Sequence, residues 1–198
     1  MKRVIAFCVF LLCAATTQAQ PVSKPLLLVA SPALQGPYQQ TALIAVPAGD
    51  RHLGFILNRA TDVKLATLFP DHAPSAKVAD PVYFGGPEMA NALFVVVRSN
   101  PGADSVRLFG ELFVVSSAPA VDRIIEQTPN DARYFAGFVA WQPGELAKEI
   151  EAGYWRVTDP DAELLFRHDT DSLWRELIER LGDGQPTPGG RGFQSAGL

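Results

Sequence analysis

The feature that most constrains this chain is a recurring series of short β-prone runs separated by turn-forming residues. Leu26 to Val29, Thr41 to Val46, Leu53 to Leu57, Val82 to Phe84, Leu93 to Val97 and Leu112 to Val115 are rich in branched or aromatic side chains, and each is too short for a core helix. Runs of this kind bounded by Gly, Pro and Asp are strand signals. The polar segment from Pro47 to His52 joins two of them as a hairpin turn. Helical patterns are fewer and come later. Ser117-Ala118-Pro119 opens a short helix with Val121, Ile124 and Ile125 on one side, and Pro143-Gly144-Glu145 introduces a second bearing Leu146, Ile150 and Tyr154. Thr158 to Asp161 starts a third, and the stripe Leu173, Trp174, Leu177, Ile178 and Leu181 forms the last, ended by Gly182. Strands first and helices mostly later predict an α+β fold, in a single domain without repeats or an internal linker.

The N-terminus adds a compartment. Lys2 and Arg3 precede an apolar run from Val4 to Ala15, and Thr17-Gln18-Ala19 offers a small-x-small exit. This is the layout of a cleaved secretory signal peptide over 1–19. The run falls short of the roughly 18 to 20 residues a spanning helix needs, so no membrane span is expected after cleavage. Export to the periplasm or beyond is the expectation, with a folded domain over 20–182 and a Gly, Pro and Ser-rich tail, read as disordered, over 183–198. Both cysteines, Cys8 and Cys13, fall inside the signal, so the mature chain has no thiol or disulfide and its core must supply the stability. With Lys2 and Arg3 removed, 15 basic residues face 21 acidic ones, a net charge of −6. That sign opposes phosphate neutralisation, and no nucleic-acid partner is expected.

Several residues invite a functional reading. Gly85-Gly86 follows an apolar run as phosphate loops do, but it lacks the lysine and hydroxyl residue of a P-loop and the third glycine of a dinucleotide fingerprint. A turn or bulge between strands is the preferred reading of the pair. Asn58 and Arg59 end an apolar strand, where Arg59 has the planar fork for a carboxylate or phosphate, or for an internal ion pair. Trp141, Tyr154, Trp155 and Trp174 read as core, with Trp141 also placed to face a ligand because Gln142 and a Pro-Gly turn follow it. His52, His72 and His168 lack metal-ligand spacing and read as scattered surface residues, so no metal and no cofactor are expected. Ser116-Ser117 reads as a strand end and helix cap rather than a nucleophile. The candidate groove is therefore Asn58, Arg59, Gly85, Gly86 and Trp141, with no catalytic residue assigned.

In order, Leu28-Val29-Ala30-Ser31-Pro32 with Pro37 and Thr41, Leu53 to Arg59, Pro81 to Pro87, Gly137 to Trp141, Pro143 to Leu146 and Gly153 to Val157 resemble the YqgE/AlgH family, also called UPF0301 or DUF179. The resemblance spans about Lys24 to Leu181. It implies a coiled, bulged, largely antiparallel sheet flanked by helices, and no settled activity. A regulator label carried by some members is not transferred, since an exported acidic protein does not meet the chromosome. The chain departs from the family pattern as well. Where the family usually has an aspartate before the proline, an aromatic after it and an arginine before the threonine, this chain has Gly36, Tyr38 and Gln40. Val46 and Pro47 stand where many members have a cysteine and an acidic residue, Ala60 replaces a proline, Ala140 a glycine and Glu145 a glutamine. The functional expectation is a non-catalytic module binding an unidentified protein or small molecule. The alternative is an enzyme of unassigned reaction, a hydrolase with a carboxylate-based site.

Overall fold

The computed structural model describes residues 22–182; the expected signal peptide, 1–19, and tail, 183–198, lie outside the described residues. The first apolar run becomes β1 (Leu26–Ala30), and all five of its residues are buried because both faces are covered. Leu27 and Val29 enter one core cluster, whereas Leu26, Leu28 and Ala30 enter another. β2 (Ala42–Ala48) and β3 (Arg51–Ile56) pair antiparallel, with Leu43 opposite Ile56 and Ala48 opposite Arg51. Their connection is only Gly49-Asp50, with Gly49 at φ +67. The turn is thus shorter than the expected Pro47 to His52, because Pro47 and His52 already face each other in the ladder.

The middle of the chain supplies β4 (Ala60–Lys64), α1 (Leu65–Leu68), a 3-10 turn (Ala73–Lys77), β5 (Pro81–Phe84), β6 (Glu88–Val97), β7 (Ser105–Phe109) and β8 (Leu112–Val115). Then follow α2 (Ala118–Gln127), β9 (Ala132–Trp141), α3 (Glu145–Glu151), β10 (Trp155–Thr158), α4 (Ala162–Leu165) and α5 (Leu173–Leu181). The strand order is β10-β1-β2-β3-β9-β6-β8-β7, with β5 on β9 and β4 on β5. Every pairing is antiparallel except β5 with β9. The α+β class and the single, curled, largely antiparallel sheet hold. Strands do not all come first, however: β9 and β10 are interleaved with the late helices. Tyr154 also leaves the expected helix face, because α3 ends at Glu151 and Tyr154 lies beyond it, 49% exposed.

β9 organises the rest. One edge carries β6, from Ala132↔Val97 to Ala136↔Leu93; the other carries β5 at Phe135 and Ala136 and then β3 from Val139 to Trp141. Between those two partners the edge must be handed over, and Gly85-Gly86 performs the handover. Gly85 N–H donates to Ala136 O at 2.9 Å, and Gly85 O accepts from Ile56 N–H at 3.0 Å. The main chains approach so closely that a Cβ on Gly85 would lie 2.3 Å from Gly137 O, and one on Gly86 2.2 Å from the Phe138 carbonyl carbon. Gly137, at φ +70, completes the crossing from the β9 side.

Helices cover both faces. α4 and α5 pack on the cluster containing Leu27, Ile44, Phe55 and Phe135, α3 on that containing Leu28, Ile56, Trp141 and Trp155, and α2 on that containing Val95, Phe113 and Tyr134. Among the described residues no helix is long and apolar enough to cross a membrane.

Candidate functional site

The β1–β2 connection, the end of β3 and the α3–β10 corner converge on one rim. The connection carries Pro37 and Tyr38 and turns through Gln40 at φ +54. Its shape is fixed from within and from β3. The buried Thr41 hydroxyl donates to Tyr38 O at 2.7 Å. Asn58 Oδ1 accepts from Ala42 N–H and Asn58 Nδ2 donates to Gln40 O, both at 2.9 Å. Arg59 Nη2 donates to Pro37 O. Asn58 and Arg59 therefore hold in place the loop that presents Tyr38, and this use of their polar groups is what the end of an apolar strand makes available.

Behind Tyr38 stands a wall of two tryptophans and a glutamate. Trp141 closes β9 and Trp155 opens β10, and both are buried. Glu149 on α3 sits between them, its Oε2 accepting from Trp141 Nε1 at 2.8 Å and from Trp155 Nε1 at 2.7 Å. Each indole finds the partner that a buried N–H requires. The Tyr38 ring leans on Trp155 with centroids 6.2 Å apart.

Several polar groups on this rim are unused. Among the described residues Tyr38 Oη, Glu149 Oε1, and Arg59 Nε and Nη1 have no hydrogen-bond partner. Burial pushes the Tyr38 phenol above its ordinary pKa, helped by Glu149 and Glu88, with Arg59 opposing and Glu145 adding. Burial also lowers the Arg59 guanidinium, partly offset by Tyr38. One guanidinium and three carboxylates thus share this rim.

Of the five groove residues expected from sequence, Asn58 and Arg59 lie on the rim and are half-buried, whereas Gly85, Gly86 and Trp141 are buried. The glycines serve the strand crossing, and Trp141 reaches the rim only through Glu149. Tyr38, Glu88 and Glu149 were not expected. A proline-flanked tyrosine was the one legible signal; a lone glutamate on a helix gives none.

Of the three histidines, His52 departs from the surface reading by being buried, whereas the His72 side chain is 26% and the His168 side chain 74% exposed. His52 is 8% exposed, its Nε2 2.8 Å from Val22 O. His168 meets Asp80, Nδ1 to Oδ1 at 2.8 Å, at the other end of β5. There a cavity of about 190 Å³ is lined by Asp80, Arg98, Asn130, Arg133, Phe166 and His168. Arg133 is 1% exposed, its guanidinium 4.2 Å from the Tyr83 ring centroid and its Nη2 donating to Arg167 O at 2.6 Å. His72 lies against α2, next to Asp122 and Glu126. Ser117 does occupy the N-cap position just before α2, but its hydroxyl makes no capping bond and instead donates to Asp104 Oδ2 at 3.4 Å.

Comparison with known proteins is consistent along the domain. A family model described as DUF179, AlgH-like, matches residues 27–185. A UPF0301 protein of Streptomyces avermitilis is 32% identical over 165 residues, covering 78% of this chain and 84% of the relative. One from Parabacteroides distasonis is 28% identical over 168 residues, covering 81% and 84%. The solution structure of AlgH from Pseudomonas aeruginosa matches with a TM-score of 0.69 at 24% identity, covering 88% of this chain and 99% of that one. A crystal structure from Corynebacterium diphtheriae matches with a TM-score of 0.66 at 24% identity, covering 84% and 88%. At that identity the structures speak to the fold alone.

Proposed function

The chain belongs to the AlgH-like DUF179 family, and on that premise we propose that it is an exported, non-catalytic binding module whose Tyr38 rim docks a protein partner through a basic group. The observation that carries this is the set of unpartnered polar atoms around a half-buried tyrosine. Tyr38 Oη and Glu149 Oε1 offer acceptors to such a group, and a fixed aromatic wall stands behind them. Preorganised polar groups on a rigid apolar surface are what a specific contact uses. The charges acting on Tyr38 are three carboxylates and one guanidinium, which favours a cationic side chain over the carboxylate or phosphate that Arg59 alone suggests. The acidic balance of the mature chain disfavours nucleic acid in the same way. Export rests on the signal-like layout of residues 1–19.

The test is an unbiased pull-down from the exported fraction using wild type, Arg59→Ala, Tyr38→Phe and Glu88→Gln, with circular dichroism to check folding. A partner captured by wild type, released by added salt and weakened by folded Tyr38→Phe and Glu88→Gln supports the reading. Equal capture by all four refutes it.

A second reading, acid–base catalysis, has one observation in its favour. Asp80 fixes His168 through Nδ1 beside the Arg133 cavity, leaving an imidazole with a 74% exposed side chain. Hydrolysis of model esters or phosphoesters lost in His168→Asn would favour this reading over the binding one.

A further inference from the structure

Away from the Tyr38 rim, the 3-10 turn Ala73–Lys77 and helix α2 bring together His72, Asp122 and Glu126. Asp122 and Glu126 are one helical turn apart, so their carboxylates share a face of α2. His72 approaches that face from the residue preceding the turn. One ligand atom from each of the three lies within 4.8 Å of the others.

Two details distinguish this cluster from a solvated patch of charge. First, the imidazole is oriented from behind: His72 Nδ1 is 2.8 Å from the hydroxyl of Ser75, a residue 1% exposed and anchored within the turn. An outer hydrogen bond on the far nitrogen is how metal-ligating histidines are usually held. Second, His72 Nε2 is shut off from solvent and has no hydrogen-bond partner among the described residues, although Asp122 Oδ1 is only 3.0 Å away. The two atoms are at ion-pair distance without forming a hydrogen bond, a separation that two ligands of one ion also have. A neutral imidazole that donates from Nδ1 to Ser75 would turn its Nε2 lone pair toward carboxylates, an arrangement that calls for a cation between them.

We propose that His72, Asp122 and Glu126 bind a divalent transition-metal ion, with Zn²⁺ the best fit. One imidazole and two carboxylates are a borderline donor set that suits Zn²⁺ better than Mg²⁺ or Ca²⁺, which prefer oxygen alone. Three protein ligands leave a fourth tetrahedral position for water. Ser75 acts as a positioning residue. The ion would also tie the 3-10 turn to α2, two elements already in contact.

The experiment is isothermal titration of the tag-free full chain with Zn²⁺, and separately with Mg²⁺, for wild type, His72→Ala, Asp122→Asn, Glu126→Gln and Ser75→Ala. Wild type is expected to bind one equivalent of Zn²⁺ saturably and in preference to Mg²⁺. Each ligand variant should weaken binding by at least about tenfold, and Ser75→Ala by about tenfold as an outer-shell change does. Asp122 has a side chain 58% exposed, so Asp122→Asn keeps the test valid if His72→Ala misfolds. No saturable Zn²⁺ binding, binding at several equivalents, binding unchanged in Asp122→Asn and Glu126→Gln, or tighter binding of Mg²⁺ overturns the proposal.

Discussion

Replacing Glu149 tests how the wall behind Tyr38 is held together. Its Oε2 accepts two indole N–H groups, from Trp141 at 3% exposure and Trp155 at 5%. Glu149→Ala removes the acceptor and leaves two buried donors unsatisfied, each costing about 1–3 kcal/mol, so the variant should lose about 2–6 kcal/mol. Glu149→Gln keeps an oxygen acceptor but removes the charge, which roughly halves the strength of such bonds, so its loss should be about 1–2 kcal/mol. Urea unfolding followed by tryptophan fluorescence reads both, because the reporting indoles are themselves the donors. With a slope of about 2 kcal/mol per molar urea, the midpoint should fall by about 1–3 M for the alanine variant and by about 0.5–1 M for the glutamine variant. An alanine variant within about 0.5 kcal/mol of wild type would mean that Glu149 does not hold the two indoles. Equal losses in the two variants would mean that the acceptor contributes nothing apart from its charge.

Gly86→Ala should prevent soluble folding, because its Cβ would lie 2.2 Å from the Phe138 carbonyl carbon, whereas Gly102→Ala, with nothing within 4 Å, should lose about 1–2 kcal/mol for its φ of +120; expression and thermal melts compare them. Acid titration tests the Arg167–Glu176 pair: Arg167 and Ser172 hold the Glu176 carboxyl down to about 2 from 4.5, so its contribution is full above pH 4.5 and fades as pH falls toward 2. Melting temperatures of wild type and Glu176→Gln should accordingly converge as pH falls through that window. Asn58→Ala should loosen the Tyr38 loop by removing its bonds to Gln40 O and Ala42 N–H, at about 1–3 kcal/mol, with faster amide exchange at Ala42.

The parts of the fold legible in the sequence were those where a run of branched side chains is buried on both faces, as in β1, β2 and β8. β4 and β7 escaped because they are largely exposed strands at the edges of the pairing, with little apolar alternation. β9 escaped for a different reason: Arg133, buried against Tyr83, and Gly137, required by the crossing, interrupt an otherwise apolar strand. His52 read as a turn residue because the hairpin closes over two residues rather than six. At the site, Asn58 and Arg59 were visible from their place at a strand end, but their bonds to the Tyr38 loop depend on chain brought alongside by the sheet. Glu149 carries no local signal, since its meaning comes from two indoles that the β9–α3–β10 corner folds around it. The same holds for His72, whose partners Asp122 and Glu126 come from a helix far along the chain, so no local spacing links it to them.

Tyr38 and the charges around it are proposed to form a docking site for a basic group on a protein partner. The most direct measurement is capture of partners from the exported fraction by wild type and by a folded Tyr38→Phe/Glu88→Gln double variant, each at low and high salt. The expected result is a partner that wild type retains at low salt, that high salt releases, and that the double variant retains poorly at either. Equal retention by both proteins, unaffected by salt, would contradict it.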